Sequence, residues 1–107
     1  MIDLQEIQQQ QADWSFRNFG NQPSTQPLLG IVEEVGELSH AVLKRAQGIR
    51  TNEDHQAAID DAVGDIVIYL MDFCSKEGIN LETAIQTVWL QVQERDWTQN
   101  KVDGMAQ

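Results

Sequence analysis

The segment Asp60-Asp61-Ala62-Val63-Gly64-Asp65 sets three carboxylates into the most apolar stretch of this chain, which runs on through Ile66, Val67, Ile68, Tyr69, Leu70 and Met71. A buried carboxylate without a partner costs several kcal/mol or is forced to take up a proton. A chain that places acids here must therefore fold so that another element, or a bound cation, compensates them. A second acidic group, Glu33-Glu34-Val35-Gly36-Glu37, lies in an apolar helical pattern of its own. The two groups are separated by about one short helical hairpin, so the expected arrangement is two helices facing each other through acidic seams.

Four helical segments are legible. The first spans about Asp3 to Asn18, with Leu4, Ile7, Gln11 and Trp14 at helical spacing. Gly20 to Gln26 is rich in turn formers. A second helix is expected from Thr25–Pro27 to Gln47, stopped by Gly48. The third opens at Thr51 or Asn52, with Glu53 and Asp54 at the positive end of its dipole, and stops at Gly78. Asn80 caps a fourth, in which Leu81, Ala84, Ile85, Val88 and Val92 form one apolar stripe. No strand-like alternation competes. The expectation is an all-α chain, a short helical bundle of about four helices. At 107 residues it forms a single domain, 1–107, with its core over about 27–97 and a polar tail after residue 100.

Charge narrows the function. Seventeen acidic residues against seven basic ones give a net charge of −10, and no basic patch or arm is visible. Nucleic acid and anionic membranes are disfavoured as partners. The run Ile66 to Met71 is far short of the roughly 18 residues of a membrane helix. The N-terminus has no signal-peptide pattern. Cys74, alone among apolar neighbours, reads as a buried free thiol, and a reducing, cytoplasmic setting is expected.

On a wheel of about 100° per residue, Leu28, Ile31, Val32, Val35, Leu38, Val42 and Ala46 form one face of the second helix, the expected core face. Glu34 and Glu37 are neighbours to one side, with Gly30 and Ala41 beside them leaving room for a ligand; Glu33 lies further toward solvent. On the third helix Asp54, Asp61, Asp65 and Asp72 share a seam with Ala58. Facing each other, these seams would gather Glu34, Glu37, Asp61 and Asp65 into an oxygen-only cluster, which suits Mg²⁺, with Mn²⁺ as the alternative. Metal ions would also reconcile an acidic protein with a phosphate-bearing substrate. Solvated acidic faces are the plainer reading, but two such seams exceed what Lys44 and Arg45 can neutralise.

Glu33-Glu34-Val35-Gly36-Glu37-Leu38, followed by Asp61-Ala62-Val63-Gly64-Asp65-Ile66-Val67-Ile68-Tyr69-Leu70, resembles the MazG-like all-α nucleoside triphosphate pyrophosphohydrolases, which include dCTP pyrophosphatases. Their pattern is Glu-Glu-x-x-Glu on one helix and Glu-x-x-Asp on the next, and the resemblance covers roughly Pro27 to Trp97. It implies Mg²⁺-dependent hydrolysis of a nucleoside triphosphate to monophosphate and pyrophosphate, in nucleotide-pool control or house-cleaning. By position Glu34 and Glu37 take the first motif's ligand roles and Asp65 the second motif's aspartate. Glu33, Glu34 and Glu37 are the candidates to hold the attacking water. Position 62 departs from the pattern, carrying alanine for glutamate, and Asp61 is the expected substitute. A homodimer or homotetramer, with the nucleotide near subunit contacts, is implied as well.

Lys44, Arg95 and Lys101 are candidates for outer phosphate contacts. Trp14, Phe16 and Phe19 are candidates for stacking on a base, against the plainer reading that they are core. Trp89 and Trp97 are expected in packing or a subunit interface. A di-iron carboxylate bundle needs two Glu-x-x-His pairs, and only Glu37-Leu38-Ser39-His40 is present. Histidine phosphotransfer rests on His40 alone. The non-enzymatic rival is an acidic helical adaptor.

Overall fold

A computed structural model describes residues 2–96 and Thr98. Four helices account for its regular structure: α1 (Leu4–Phe19), α2 (Thr25–Gln47), α3 (His55–Lys76) and α4 (Leu81–Val92). The chain is all-α among the described residues. Local chemistry explains the boundaries. Asp3, Asp54 and Asn80 each turn a side-chain oxygen onto a backbone N–H of the following first turn, at 3.1, 2.9 and 3.0 Å, satisfying donors that a helix start leaves free. Gly48 ends α2 in the left-handed conformation (φ 69°, ψ 26°), which glycine adopts without Cβ strain. The start of α3 differs from the expected Thr51 or Asn52: residues 51–53 form a turn and Asp54 is the cap. Its carboxylate is spent on the helix end.

Helices α2 and α3 pair lengthwise and antiparallel. Arg45 donates to Gln56 at 3.0 Å, Glu34 feels the charge of Asp65, and Gly30 lies under the ring of Tyr69. These contacts step down α2 as they step up α3. Ala41 and Ala62, at 4% and 3% exposure, are the buried small residues of the two helices. Helix α1 packs on α3, again antiparallel, and the start of α4 packs on α1. A small core of Met71, Cys74 and Leu81, with Leu4 and Ile7 against it, joins the three. Burial pushes the Cys74 thiol up from its ordinary value, as expected of an inert buried cysteine.

Gln8 fastens this corner. Its amide donates to Ser75 Oγ (3.2 Å) and to the Ile79 carbonyl (2.9 Å), while its oxygen accepts the Leu81 N–H (3.0 Å). The turn between α3 and α4 is thereby fixed to α1.

The wheel's choice of core face on α2 is corrected. Ile31 and Leu38 are half-buried, but Leu28, Val32, Val35 and Val42 are exposed, Val32 by 63%. The face turned to α3 is centred on Glu34, flanked by Pro27, Gly30, Leu38 and Ala41. Apolar side chains on α4, including Ile85, Val88, Trp89 and Leu90, are exposed too. The reason is physical: α2 has one long partner in its own chain, α3, and the face it turns there carries Glu34 among small and apolar residues. Trp97, Lys101 and the tail after residue 100 lie outside the described residues.

Candidate functional site

A cleft of about 540 Å³ opens where α1, α2 and α3 meet. Helix α1 supplies Gln11, Trp14, Ser15 and Phe19; α2 supplies Pro27, Leu29, Gly30, Glu33 and Glu34; α3 supplies Asp65, Ile68, Tyr69 and Asp72. Gln22 and Gln26, from the loop and the first turn of α2, complete it. Acids thus meet an aromatic and amide wall. No lysine or arginine is among the lining residues.

Glu34 is the electrostatic centre. Its Oε2 is shut off from solvent and has no hydrogen-bond partner. Desolvation raises its pKa, and the charges of Glu37, Asp65 and Glu33 raise it further. A hydrogen bond with Glu37, which only a protonated carboxyl can make, acts in the same direction. Three other acids from two helices therefore act on Glu34 and its orphaned oxygen, and a cation there would relieve both its desolvation and its repulsion. The donor set is oxygen-only, which fits a hard divalent ion. Among the described residues no group of three or more histidines, cysteines and acids is arranged to hold a metal ion; the cluster is a field of like charge around Glu34.

That charge has a consequence for stability. Because the folded state raises the Glu34 pKa above its ordinary 4.5, the folded chain holds that proton more tightly than the unfolded one. This contribution is fully present below about pH 4.5 and is lost as pH rises through the folded-state value. In EDTA, the stability of the wild type relative to Glu34→Gln should fall as pH is raised from 4.5 to 7, and Mg²⁺ should flatten the difference. Thermal melts of both proteins across that range check it.

The other expected site residues are distributed as follows. Glu33 and Asp65 line the cleft, as do Trp14 and Phe19, whose rings meet edge to face at 5.6 Å. Glu37 acts on Glu34 from one turn further along α2 without lining the cleft. Asp61 is exposed, absent from the lining and absent from the groups that act on Glu34. Asp72 does line the cleft, but it pairs with Lys76 at 2.8 Å. So two members of the expected acidic seam, Asp54 and Asp72, are engaged structurally.

Phe16 lines a different hollow, with Gly20, Pro23 and Lys76. Lys44 is spent near the C-terminus of α2, donating to Gln47 at 3.4 Å. Arg95, past the end of α4, is exposed and lines no part of the cleft. His40 meets Arg50 at 3.3 Å, outside the cleft. The room expected beside Gly30 is not free for a ligand: a Cβ there would come within 2.5 Å of the Tyr69 ring. The missing side chain lets Tyr69 lie across α2 at the cleft floor.

Position 62 sits two turns before Tyr69 on the face that meets α2. Ala62 is among the most buried residues of the chain, at 3% exposure. Alanine at this position closes the helices together instead of adding a carboxylate.

Gln11 and Tyr69 are among the lining residues that sequence reasoning missed. A signal existed for the first: Gln8, Gln11 and Ser15 share one helical stripe, and all three are buried. A polar stripe turned inward asks what it bonds to.

The family model for the MazG nucleotide pyrophosphohydrolase domain matches residues 22–98. That span takes in the loop before α2, the α2–α3 pair and α4. No curated protein and no solved structure matches the chain.

Proposed function

The chain belongs to the MazG nucleotide pyrophosphohydrolase domain family, and from that premise we propose that it is a Mg²⁺-dependent nucleoside triphosphate pyrophosphohydrolase. It would convert a nucleoside or deoxynucleoside triphosphate to the monophosphate and pyrophosphate, in pool control or removal of unwanted nucleotides. The observation that carries this reading is the orphaned Glu34 Oε2 among Glu33, Glu37 and Asp65, in a cleft whose lining holds no cation. A polyphosphate is repelled by such a surface unless metal ions stand between them.

Glu34, Glu37 and Asp65 are the residues proposed to hold Mg²⁺, with Mn²⁺ as a substitute. Held by these residues, such an ion would supply charge neutralisation and Lewis-acid polarisation to a bound phosphate. Asp61 is a weaker ligand candidate because it neither lines the cleft nor acts on Glu34. Glu33, which lines the cleft, is the residue proposed to accept a proton from water near the phosphates, with Glu34 and Glu37 as the alternatives. Trp14 and Phe19 offer aromatic faces to the base. Pre-positioning of this kind lowers the barrier by holding substrate and water in a reactive arrangement.

A homo-oligomer completes the proposal. The exposed apolar stripe of α2 and the exposed Val88, Trp89 and Leu90 of α4 exceed what a small monomer usually leaves to water. A second copy of the chain is the proposed cover.

Product chromatography over a panel of canonical and modified nucleoside triphosphates, in Mg²⁺ and in EDTA, tests the activity. Monophosphate and pyrophosphate in Mg²⁺ only is the expected result. Diphosphate and orthophosphate would place the cut at the wrong bond, and no turnover of any nucleotide would remove the hydrolase reading.

A further inference from the structure

Gln11 is 9% exposed, lines the cleft, and keeps its Oε1 buried without a hydrogen-bond partner. A buried acceptor left unmade is costly, and such groups in a native fold call for a reason. The neighbouring buried glutamine shows what the fold does when a glutamine is structural: Gln8 satisfies both ends of its amide. Gln11, one turn along the same stripe, does not. The cleft that Gln11 lines also holds Trp14, Ile68 and Tyr69 beside its acids, flat or apolar surfaces suited to a ring.

We propose that Gln11 reads the base: its Oε1 accepts an N–H from the exocyclic amino group of a cytosine or adenine ring lying against Trp14. This rests on the nucleotide-hydrolase reading of the same cleft and deepens it by naming the substrate class. A 4-amino pyrimidine or 6-amino purine brings the donor that Oε1 lacks. Uracil or a 6-oxo purine turns a carbonyl oxygen toward an acceptor at the same point, and the carboxylates nearby add to that penalty. Sites built to bond a particular polar group discriminate strongly against an analogue that leaves it unpaired.

Matched pairs isolate that single group. Steady-state kinetics on dCTP against dUTP, and on dATP against deoxyinosine triphosphate, should show the amino member favoured by about 10- to 100-fold in kcat/KM, chiefly through KM. Gln11→Met, which keeps length and removes the acceptor, should bring each pair within about 3-fold. Gln11→Glu, which keeps an acceptor, should retain the preference. Deoxyribose 5-triphosphate, which has no base, should be hydrolysed equally by wild type and Gln11→Met.

No preference in the wild type, a preference that survives in Gln11→Met, or an equal loss on the base-free triphosphate would overturn the assignment. Calorimetric titration with cytidine and with uridine separates this from the activity itself. If no triphosphate is hydrolysed but cytidine binds better than uridine, and Gln11→Met erases that difference, the base reading stands and the hydrolase reading falls. Equal binding of the two nucleosides would sink the base reading.

Discussion

Glu34→Gln should lower Mg²⁺-dependent nucleotide hydrolysis by about 10³-fold or more while leaving the protein folded and, in EDTA, more heat-stable than the wild type. The two halves of that result have one cause. Glu34 carries an oxygen that is shielded from water, unpartnered and repelled by Glu33, Glu37 and Asp65. The amide removes the charge, so the folded protein loses a repulsion. It also removes the anionic oxygen that a divalent ion would take, and with it transition-state charge stabilisation worth several kcal/mol, each 1.36 kcal/mol being tenfold in rate. Gain of stability with loss of function is the usual mark of a functional group that the fold tolerates at a cost. Activity assays beside thermal melts in EDTA check both halves. Full activity in the variant, or a lower melting temperature, would count against the role given to Glu34.

The second large effect concerns the outer face of the same helix. Val32 and Val35 are exposed by 63% and 44%, one turn apart on α2. If a second copy covers them, the double change Val32→Glu with Val35→Glu places two unpaired charges in an apolar contact, and each costs several kcal/mol when buried. Light scattering should then show the mass fall from a multiple of 12.1 kDa to 12.1 kDa. If these valines face water, the substitutions are ordinary surface changes worth about 0.5 kcal/mol or less, and the mass stays where it was. A stable interface of standard size buries about 1,600 Å² in total; the exposed apolar residues of α2 and α4 are the surfaces this chain offers to one.

The same helix explains where sequence reading succeeds and where it stops. Helix ends are local, so Asp3, Gly48 and Asn80 announce them through groups that act within one turn. Asp54 shows the limit. Its side chain caps α3, and nothing in the residue's identity distinguishes a capping carboxylate from a ligand one. Asp72 is the same case, taken up by Lys76 one turn later.

The orientation of α2 is a different kind of miss. Periodicity separates an apolar stripe from an acidic one, but it does not say which stripe meets the chain's own helices. Here the stripe holding Glu34 does, and Val32 and Val35 are left outward. The acidic pairing itself was legible, because Glu34 and Asp65 sit in helices of matched length joined by a short turn. Tyr69 was not, since its place depends on the absent side chain at Gly30, and the polar stripe of Gln8, Gln11 and Ser15 signals burial without saying which of its members faces the cleft.

The central claim is that the acids of the cleft bind a divalent ion and the ion binds the phosphates. Its most direct test is calorimetric binding of a non-hydrolysable α,β-imido nucleoside triphosphate to the wild-type protein, in Mg²⁺ and in EDTA. The cleft offers the polyphosphate carboxylates and no cationic side chain, so binding should be strong in Mg²⁺ and at least about 100-fold weaker in EDTA. Equal affinity in the two buffers would show that something other than a metal held by Glu34 and its neighbours receives the phosphates, and would contradict the account.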